Sequence, residues 1–378
     1  MIYLDNSATT FPKPPGVIRA INSAVRQYGF NPGRGGYPQS VRTAKAVYDT
    51  RTAVKDFFDM DGEEKVIFSS GCTESLNIAI KGILRKGDHV VISSMEHNAV
   101  VRPIHKLSKS GFISYSVADA SGTDDEIVNS FRKCINEKTR LFICTHASNV
   151  FGRRLPAVRL CALAHSYGIL FCLDAAQTAG VFDIDIQSDG YDFVCCAGHK
   201  YLYGPMGIGL LLLGNDMLVD TLTEGGTGSE SSDKNMPSYY PDRLEAGTLN
   251  IPGILGLKAG LDFIKSRGTA NILDKERAWI KRLYRYLSTM DNIEVYGDYA
   301  DDKFAPVLSF NIKDKDSEEV ARYLSKSAGI CVRSGLHCAP LAHETMGTID
   351  RGTVRISPSV FTTDSDMKIL LNSLRNIG

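Results

Sequence analysis

Short apolar runs, rich in β-branched residues and bounded by turn formers, recur along the first two thirds of the chain and predict strands. They lie at Ile2–Leu4, Val66–Ser69, His89–Ser93, Phe112–Val117, Leu141–Thr145, Ile169–Leu173, Phe193–Cys196 and Ile208–Leu213. Between them the period lengthens to that of a helix. Pro14 and Pro15 open one helix, which stops at Gly29 after Tyr28. A second, Ser40–Asp59, turns Val41, Ala44, Val47, Tyr48 and Val54 to one side. Further helices are predicted at Thr73–Leu84, Ala99–Ser110, Asp124–Ile135 and Pro156–Tyr167. Strands alternating with helices imply βαβ units, right-handed crossovers and a mostly parallel sheet, hence an α/β fold.

Two stretches interrupt the pattern. NPGRGGYPQS, residues 31–40, is either a linker or a loop whose backbone approaches a ligand. From Thr223 to Asp242 the chain turns polar and rich in Gly, Ser and Pro, the composition of a functional or mobile loop. Helical patterns resume at Gly253–Lys265 and Ala270–Met290. A smaller α+β unit closes the chain, with strands at Ile293–Tyr296, Val307–Ile312, Ile330–Ser334 and Val354–Ser357 and helices at Ser317–Ser327 and Thr363–Asn376.

At about 100–200 residues per domain, 378 residues suggest two or three domains. An apolar share of 43% with 23% charged residues allows a large core. The 43 basic and 43 acidic side chains cancel, so nothing in the balance calls for nucleic acid or an anionic membrane. No apolar run approaches the roughly eighteen residues of a membrane span. The opening MIYLDNSATT lacks a charged, then apolar leader, and a cytoplasmic protein is the expectation. The nine cysteines are odd in number and contain no CxxC, so they read as reduced thiols, mostly in the core. His337, Cys338 and His343 cluster locally without a second ligand pair, and no metal is expected.

Candidate chemistry gathers between Leu170 and Leu213. One strand ends in Asp174 and Gln177, the next in Gly198, His199 and Lys200, and a glycine-rich turn comes after it at Gly204–Gly209. Ligands of open α/β sheets collect beyond the carboxyl ends of strands, so acid and lysine face one cleft. A lysine among small residues suits a Schiff base with a carbonyl cofactor, and an acid then keeps a pyridine nitrogen protonated. The plainer alternative is a surface lysine and a helix-capping aspartate. Gly71, Cys72 and Thr73, between strand and helix, form a phosphate cradle or an ordinary cap with Thr73 at its head. His97, past a strand end, lies on a planar ring, shuttles a proton, or faces solvent. Asn149 binds a substrate carboxylate or shapes a turn. Cys338, in a loop beside Arg333 and His337, is a nucleophile or an idle thiol. Arg355, within a strand pattern, pairs with a substrate carboxylate or with an internal acid.

In order, YLDNSATT, SGCTES, MEHNAV, SNVFG, LDAAQTAG, AGHK, RLEAGT and RSGLHCA make the chain resemble the class V aminotransferase family of pyridoxal-phosphate enzymes. Within it the cysteine desulfurases are nearest, and the resemblance runs from about Tyr3 to Leu374. It implies the aspartate-aminotransferase fold (fold type I): a large domain, residues 15–255, on a mainly parallel seven-stranded sheet, a small α+β C-terminal domain from 1–14 and 256–378, and a homodimer. It also implies that Lys200 holds pyridoxal 5'-phosphate as a Schiff base and moves the Cα proton. Asp174 would salt-bridge the pyridinium, Gln177 hydrogen-bond the phenolic oxygen, and His97 stack on the ring. Cys72 and Thr73 with nearby amides, and His199, would hold the phosphate, with Thr248 reaching the other subunit's cofactor. Arg355 and Asn149 would fix the carboxylate of L-cysteine. Cys338 would take the sulfur as a persulfide, releasing alanine, and pass it to an acceptor protein.

Three departures stand out. Ala197 replaces a phosphate-binding serine, Tyr201 is an extra residue after the lysine, and the seventeen residues from Cys338 to Arg355 match the short-loop subgroup. Selenocysteine lyase, with L-selenocysteine as substrate, shares the scaffold and these motifs. Another aminotransferase or lyase of the class, or a non-catalytic cofactor-binding scaffold, are the other readings.

Overall fold

The computed structural model describes every residue except Arg34, Asp298, Ala300, Asp301 and Gly378, so that Arg34 of the expected 31–40 loop lies outside the described residues. The chain opens with β1 (Ile2–Tyr3), α1 (Pro15–Gln27) and α2 (Pro38–Phe57). Alternation then sets in: β2 (Val66–Ser69), α3 (Cys72–Ile83), β3 (His89–Ser93), α4 (Asn98–Lys109), β4 (Ser114–Ala118) and α5 (Asp124–Cys134). It continues with β5 (Thr139–Thr145), α6 (Ala157–Ser166), β6 (Leu170–Asp174), α7 (Ile186–Asp189), β7 (Phe193–Ala197) and β8 (Gly209–Leu213). After a loop with neither helix nor strand up to Asp242, α8 (Ile251–Arg267) and α9 (Thr269–Leu287) lead onward. The last unit comprises β9 (Ile293–Tyr296), β10 (Leu308–Ile312), α10 (Ser317–Ala328), β11 (Ile330–Cys331), β12 (Arg333–Gly335), α11 (Pro340–Thr345), β13 (Thr353–Ile356) and α12 (Asp364–Ile377).

Seven strands form the central sheet in the order β2-β8-β7-β6-β5-β3-β4. Six run parallel, as the alternation predicts, and β8 runs against both its neighbours. Its β7–β8 connection is short and carries no helix, so a parallel return is not available to it. Both faces of the sheet are covered, which is why the strands read as continuous apolar runs. Val91, Phe142, Phe171, Leu173, Val194 and Leu210 enter one core; Val90, Ile92, Leu141, Ile143, Cys172 and Phe193 enter the other. This period-two partition places Cys144, Cys172, Cys195 and Cys196 among packed side chains as free thiols.

The C-terminal unit carries an antiparallel sheet, β12-β13-β10-β9, with its own core of Leu308, Phe310, Val354, Leu370 and others. The predicted strand at Ile330–Ser334 is two short strands with different partners. Ile330 and Cys331 pair with β1, while Arg333 and its successors pair with β13. Helix α2 starts earlier than its apolar stripe predicts, because Pro38 at the first turn has the backbone angle a helix start requires.

A buried ion pair anchors the segment entering α8. Glu245 accepts from the amide of Phe68 at 2.6 Å and pairs with Arg51, which also donates to the carbonyl of Val66. Both side chains are almost wholly buried, so removing one leaves an uncompensated charge. Glu245→Ala is expected to lower unfolding free energy by about 3–5 kcal/mol, measured by urea titration against wild type.

Candidate active site

The carboxyl ends of β5, β6 and β7 open onto a cavity of about 390 Å³, which the loop after β12 and the β13 strand close from the other side. Register alone brings its chemistry together. Thr145 pairs with Asp174, and Asp174 with Cys195, so the acid sits between neighbours at the sheet edge. Lys200 lies three residues beyond β7 and enters the same cavity.

Asp174 is buried, with Oδ1 accepting from the Ala176 amide at 2.9 Å and from the Cys72 thiol at 3.4 Å. Burial raises its carboxyl, an effect that the Ala176 amide and Lys200 oppose. Burial lowers the Lys200 amine, against the pull of Asp174 and Cys72, and Arg355 and Arg333 push it down further. Acid and amine therefore sense each other within one poorly hydrated pocket. Burial also drives the Cys72 thiol well above its usual range, which leaves it a neutral donor.

His97 caps α4: its Nδ1 accepts from the Ala99 amide at 3.0 Å, which assigns the proton to Nε2. Thr73 does not cap α3. Gly71 holds that position without a side-chain bond, so the Thr73 hydroxyl at the helix N-terminus is left for other use. Gln177 donates from Nε2 to the Ser7 carbonyl at 3.1 Å while its buried Oε1 has no partner. The buried Nδ1 of His199 likewise lacks one, and burial with Lys200 beside it lowers that imidazole to about 4. Ala197 lines the wall without a hydroxyl.

Arg355, 1% exposed, donates from Nη2 to Asp5 at 2.6 Å and from Nη1 to the Asn149 carbonyl at 2.9 Å; its Nε is unpartnered. The internal acid foreseen as the plainer alternative thus exists, and Arg355 still lines the cavity. Asn149 spends its Nδ2 on the His337 carbonyl at 2.9 Å. The next carbonyl, that of Cys338, accepts from the Asn98 amide at 2.7 Å. Both His337 and Cys338 take left-handed backbone angles, φ 50° and 57°, held by those two bonds. The turn buries the His337 ring in the cavity wall and leaves Cys338 exposed outside it, with Arg333 Nη2 3.8 Å from the sulfur.

Thr248 is not brought to Lys200. It lines a separate cavity with Arg51 and Glu245. Among the described residues no cluster of His, Cys, Asp or Glu is arranged to hold a metal, and no helix is long and apolar enough to cross a membrane. Asp5, Ser7 and the buried Glu96, whose carboxyl burial pushes up to about 8, were not singled out from sequence. The DNSATT string carried the first two without revealing what they touch.

The sequence profile described as Aminotransferase class-V matches residues 2–370. The chain belongs to that family. Class V aminotransferases are pyridoxal-phosphate-dependent, and the donor set at this site is of the matching kind. A relative from Methanothermobacter thermautotrophicus, named a probable cysteine desulfurase, is 34% identical over all of this chain and 94% of its own. Another of the same name from Halalkalibacterium halodurans is 31% identical over 99% and 92%. Among solved structures, an apo cysteine desulfurase from Thermococcus onnurineus NA1 superposes with a TM-score of 0.90 at 28% identity, covering 100% of this chain and 94% of that one. The Escherichia coli cysteine desulfurase CsdA gives 0.88 at 25% identity, covering 99% and 94%.

Burial, then Lys200 and the nearby arginines, lower the His97 imidazole from 6.5 to about 4. An unfolded chain binds that proton near 6.5, so the stability His97 contributes is whole above that pH and drains away as pH falls toward 4. Nuclear magnetic resonance titration of the His97 ring is expected to show it uncharged through neutral pH, with its midpoint near about 4.

Proposed function

We propose that this protein is a cysteine desulfurase that uses pyridoxal 5'-phosphate to convert L-cysteine to L-alanine, leaving the sulfur on Cys338 as a persulfide. One observation carries the reading: Lys200, Asp174 and Arg355 line one cavity, and the exposed thiol of Cys338 lies just outside it, 3.8 Å from Nη2 of the lining Arg333. The fit to the cofactor rests on the polar atoms. The buried, unpartnered Oε1 of Gln177 can accept from a phenolic hydroxyl, the unpartnered Nδ1 of His199 and the open N-terminus of α3 with Thr73 and Cys72 suit a phosphate, and the Asp174 carboxylate can accept from a protonated ring nitrogen.

When bound, pyridoxal phosphate supplies an electron sink that weakens the bond from the amino acid's side-chain carbon to sulfur. The lowered Lys200 amine serves as the covalent anchor and as the base at the substrate Cα. Asp174 keeps negative charge where the ring nitrogen would lie. His97, neutral and carrying its proton on Nε2, would lie against the ring and relay protons near the substrate. Arg355, already oriented by Asp5, takes the substrate carboxylate with its free edge, and Asn149 orders the wall beside it. Cys338 forms a sulfur–sulfur bond with the substrate sulfur as the carbon–sulfur bond breaks. The carbon takes a proton, so cysteine plus thiol become alanine plus persulfide and the atoms balance.

A homodimer completes the reading. Thr248 lies away from its own chain's Lys200, and α2 exposes Val41 and Tyr48 as an apolar face. An acceptor protein then removes the persulfide sulfur.

Purified protein incubated with L-cysteine and pyridoxal phosphate is expected to yield alanine, with the persulfide mapped by mass spectrometry to Cys338. Cys338→Ala is expected to lose at least about a hundredfold in alanine formation. Full activity in that variant would sink the assignment. Arg355→Lys is expected to raise KM by about tenfold with a smaller change in kcat, since a single ammonium cannot reproduce the bidentate fork.

A further inference from the structure

We propose that Lys13 is a positioning residue, which holds the turn that presents Lys200 through the carbonyl of His199; this rests on the reading of Lys200 as the amine that takes the cofactor. Residues 5–13 form a strap that follows β1 and lines the cavity with Ser7 and Ala8. Asp5 bridges to Ser357 and pairs with Arg355. Ser7 receives the Gln177 amide on its carbonyl and shares a 3.1 Å hydrogen bond with the Tyr201 hydroxyl. The strap then ends on the backbone either side of the lysine.

There the donors converge. The His199 carbonyl accepts from the Thr10 amide at 3.1 Å, the Thr9 hydroxyl at 3.0 Å, the Thr10 hydroxyl at 3.2 Å and Lys13 Nζ at 2.6 Å. A carbonyl offers two lone pairs, so these donors share it, and the shortest contact is that of the Lys13 amine. Lys13 also donates to the Thr10 hydroxyl at 2.7 Å, and that hydroxyl reaches the Lys200 carbonyl at 3.0 Å. From the opposite side the Tyr203 amide donates to the Lys200 carbonyl at 2.9 Å and the Gly204 amide to Gly198 at 2.8 Å. A Cβ at position 204 would press within 2.8 Å of that Gly198 oxygen, so this close approach requires glycine. The main chain at residues 198–200 is thus pinned from both faces, and the stem of the Lys200 side chain keeps the remaining freedom.

Packing alone does not account for a lysine here. Among the described residues no carboxylate pairs with Lys13, and burial pushes its amine down to about 7. A half-buried ammonium without a counterion is costly, and a methionine would fill similar space without that penalty. What lysine adds is a strong donor aimed at the His199 oxygen. A reacting amine displaced by about an ångström loses on the order of a hundredfold in rate, which is the scale on which such pinning matters.

The test compares wild type, Lys13→Met and Lys13→Arg as apoproteins mixed with pyridoxal phosphate. The readouts are the growth of absorbance near about 420 nm, borohydride trapping with mass spectrometry to locate the cofactor, and the melting temperature of each apoprotein. Lys13→Met is expected to melt within a few degrees of wild type while attaching the cofactor to Lys200 about tenfold more slowly, and Lys13→Arg to recover most of the rate. Attachment by a folded Lys13→Met at the wild-type rate overturns the inference. Should Lys13→Met fail to fold, Thr10→Val carries the test, with a slowing of about threefold expected and a wild-type rate overturning it. A wild-type protein that gives neither band nor trapped Lys200 overturns the reading of the site and this inference with it; a normal wild type beside unimpaired variants overturns this inference alone.

Discussion

Withdrawal of the Lys200 amine from water is the constraint around which the rest is arranged. Desolvation works against its charge, while Asp174 works for it and the guanidinium groups of Arg333 and Arg355 against it. The same withdrawal raises Asp174 and keeps His97 and His199 neutral. The wall is therefore richer in basic groups than in carboxylates, an imbalance suited to a ligand bearing anionic groups. A flat, phosphorylated ring and an amino-acid carboxylate are ligands of that kind.

Much of this was legible in the sequence because sheet burial is legible. Residues of β5, β6 and β7 send alternate side chains into two cores, so the runs are apolar throughout and stand out from the amphipathic helices. The residues just past each strand then fall at the ligand edge, which is how Asp174, Asn149 and Lys200 could be placed together. The direction of β8 was not legible, since an apolar run carries no sign of its orientation. Nor were α7 and α11, with 4 and 6 residues, too short to establish a period. The division at Val332 between β11 and β12 depends on partners far along the chain. Asp5 and Ser7 escaped for the same reason: Arg355 is 350 positions from the first, and Gln177 is 170 from the second.

Burial also sorts the thiols. Cys72, Cys144 and Cys195 are pushed well above their ordinary range by desolvation, which makes them poor nucleophiles despite their nearness to the site. Cys338 is the exposed cysteine of the nine. Its place depends on two consecutive left-handed residues, an arrangement that costs on the order of 1–3 kcal/mol each. The two hydrogen bonds from Asn98 and Asn149 offset that strain, and both come from segments that also shape the cavity. Position of the thiol and shape of the pocket are thereby tied to one another.

The meeting of β1 with β11, and of Asp5 with Ser357, has a consequence for biogenesis. The central sheet uses residues 66–213 alone and is free to form as soon as they emerge. The first strand, by contrast, waits for residues near 330 and 357. At about 5–20 residues per second of translation, that delay lasts tens of seconds, during which the nascent leading segment has no β-partner. Completion of the pocket is therefore among the last events of synthesis, and a chain cut short before the final strand lacks Arg355, one of the two arginines that line it.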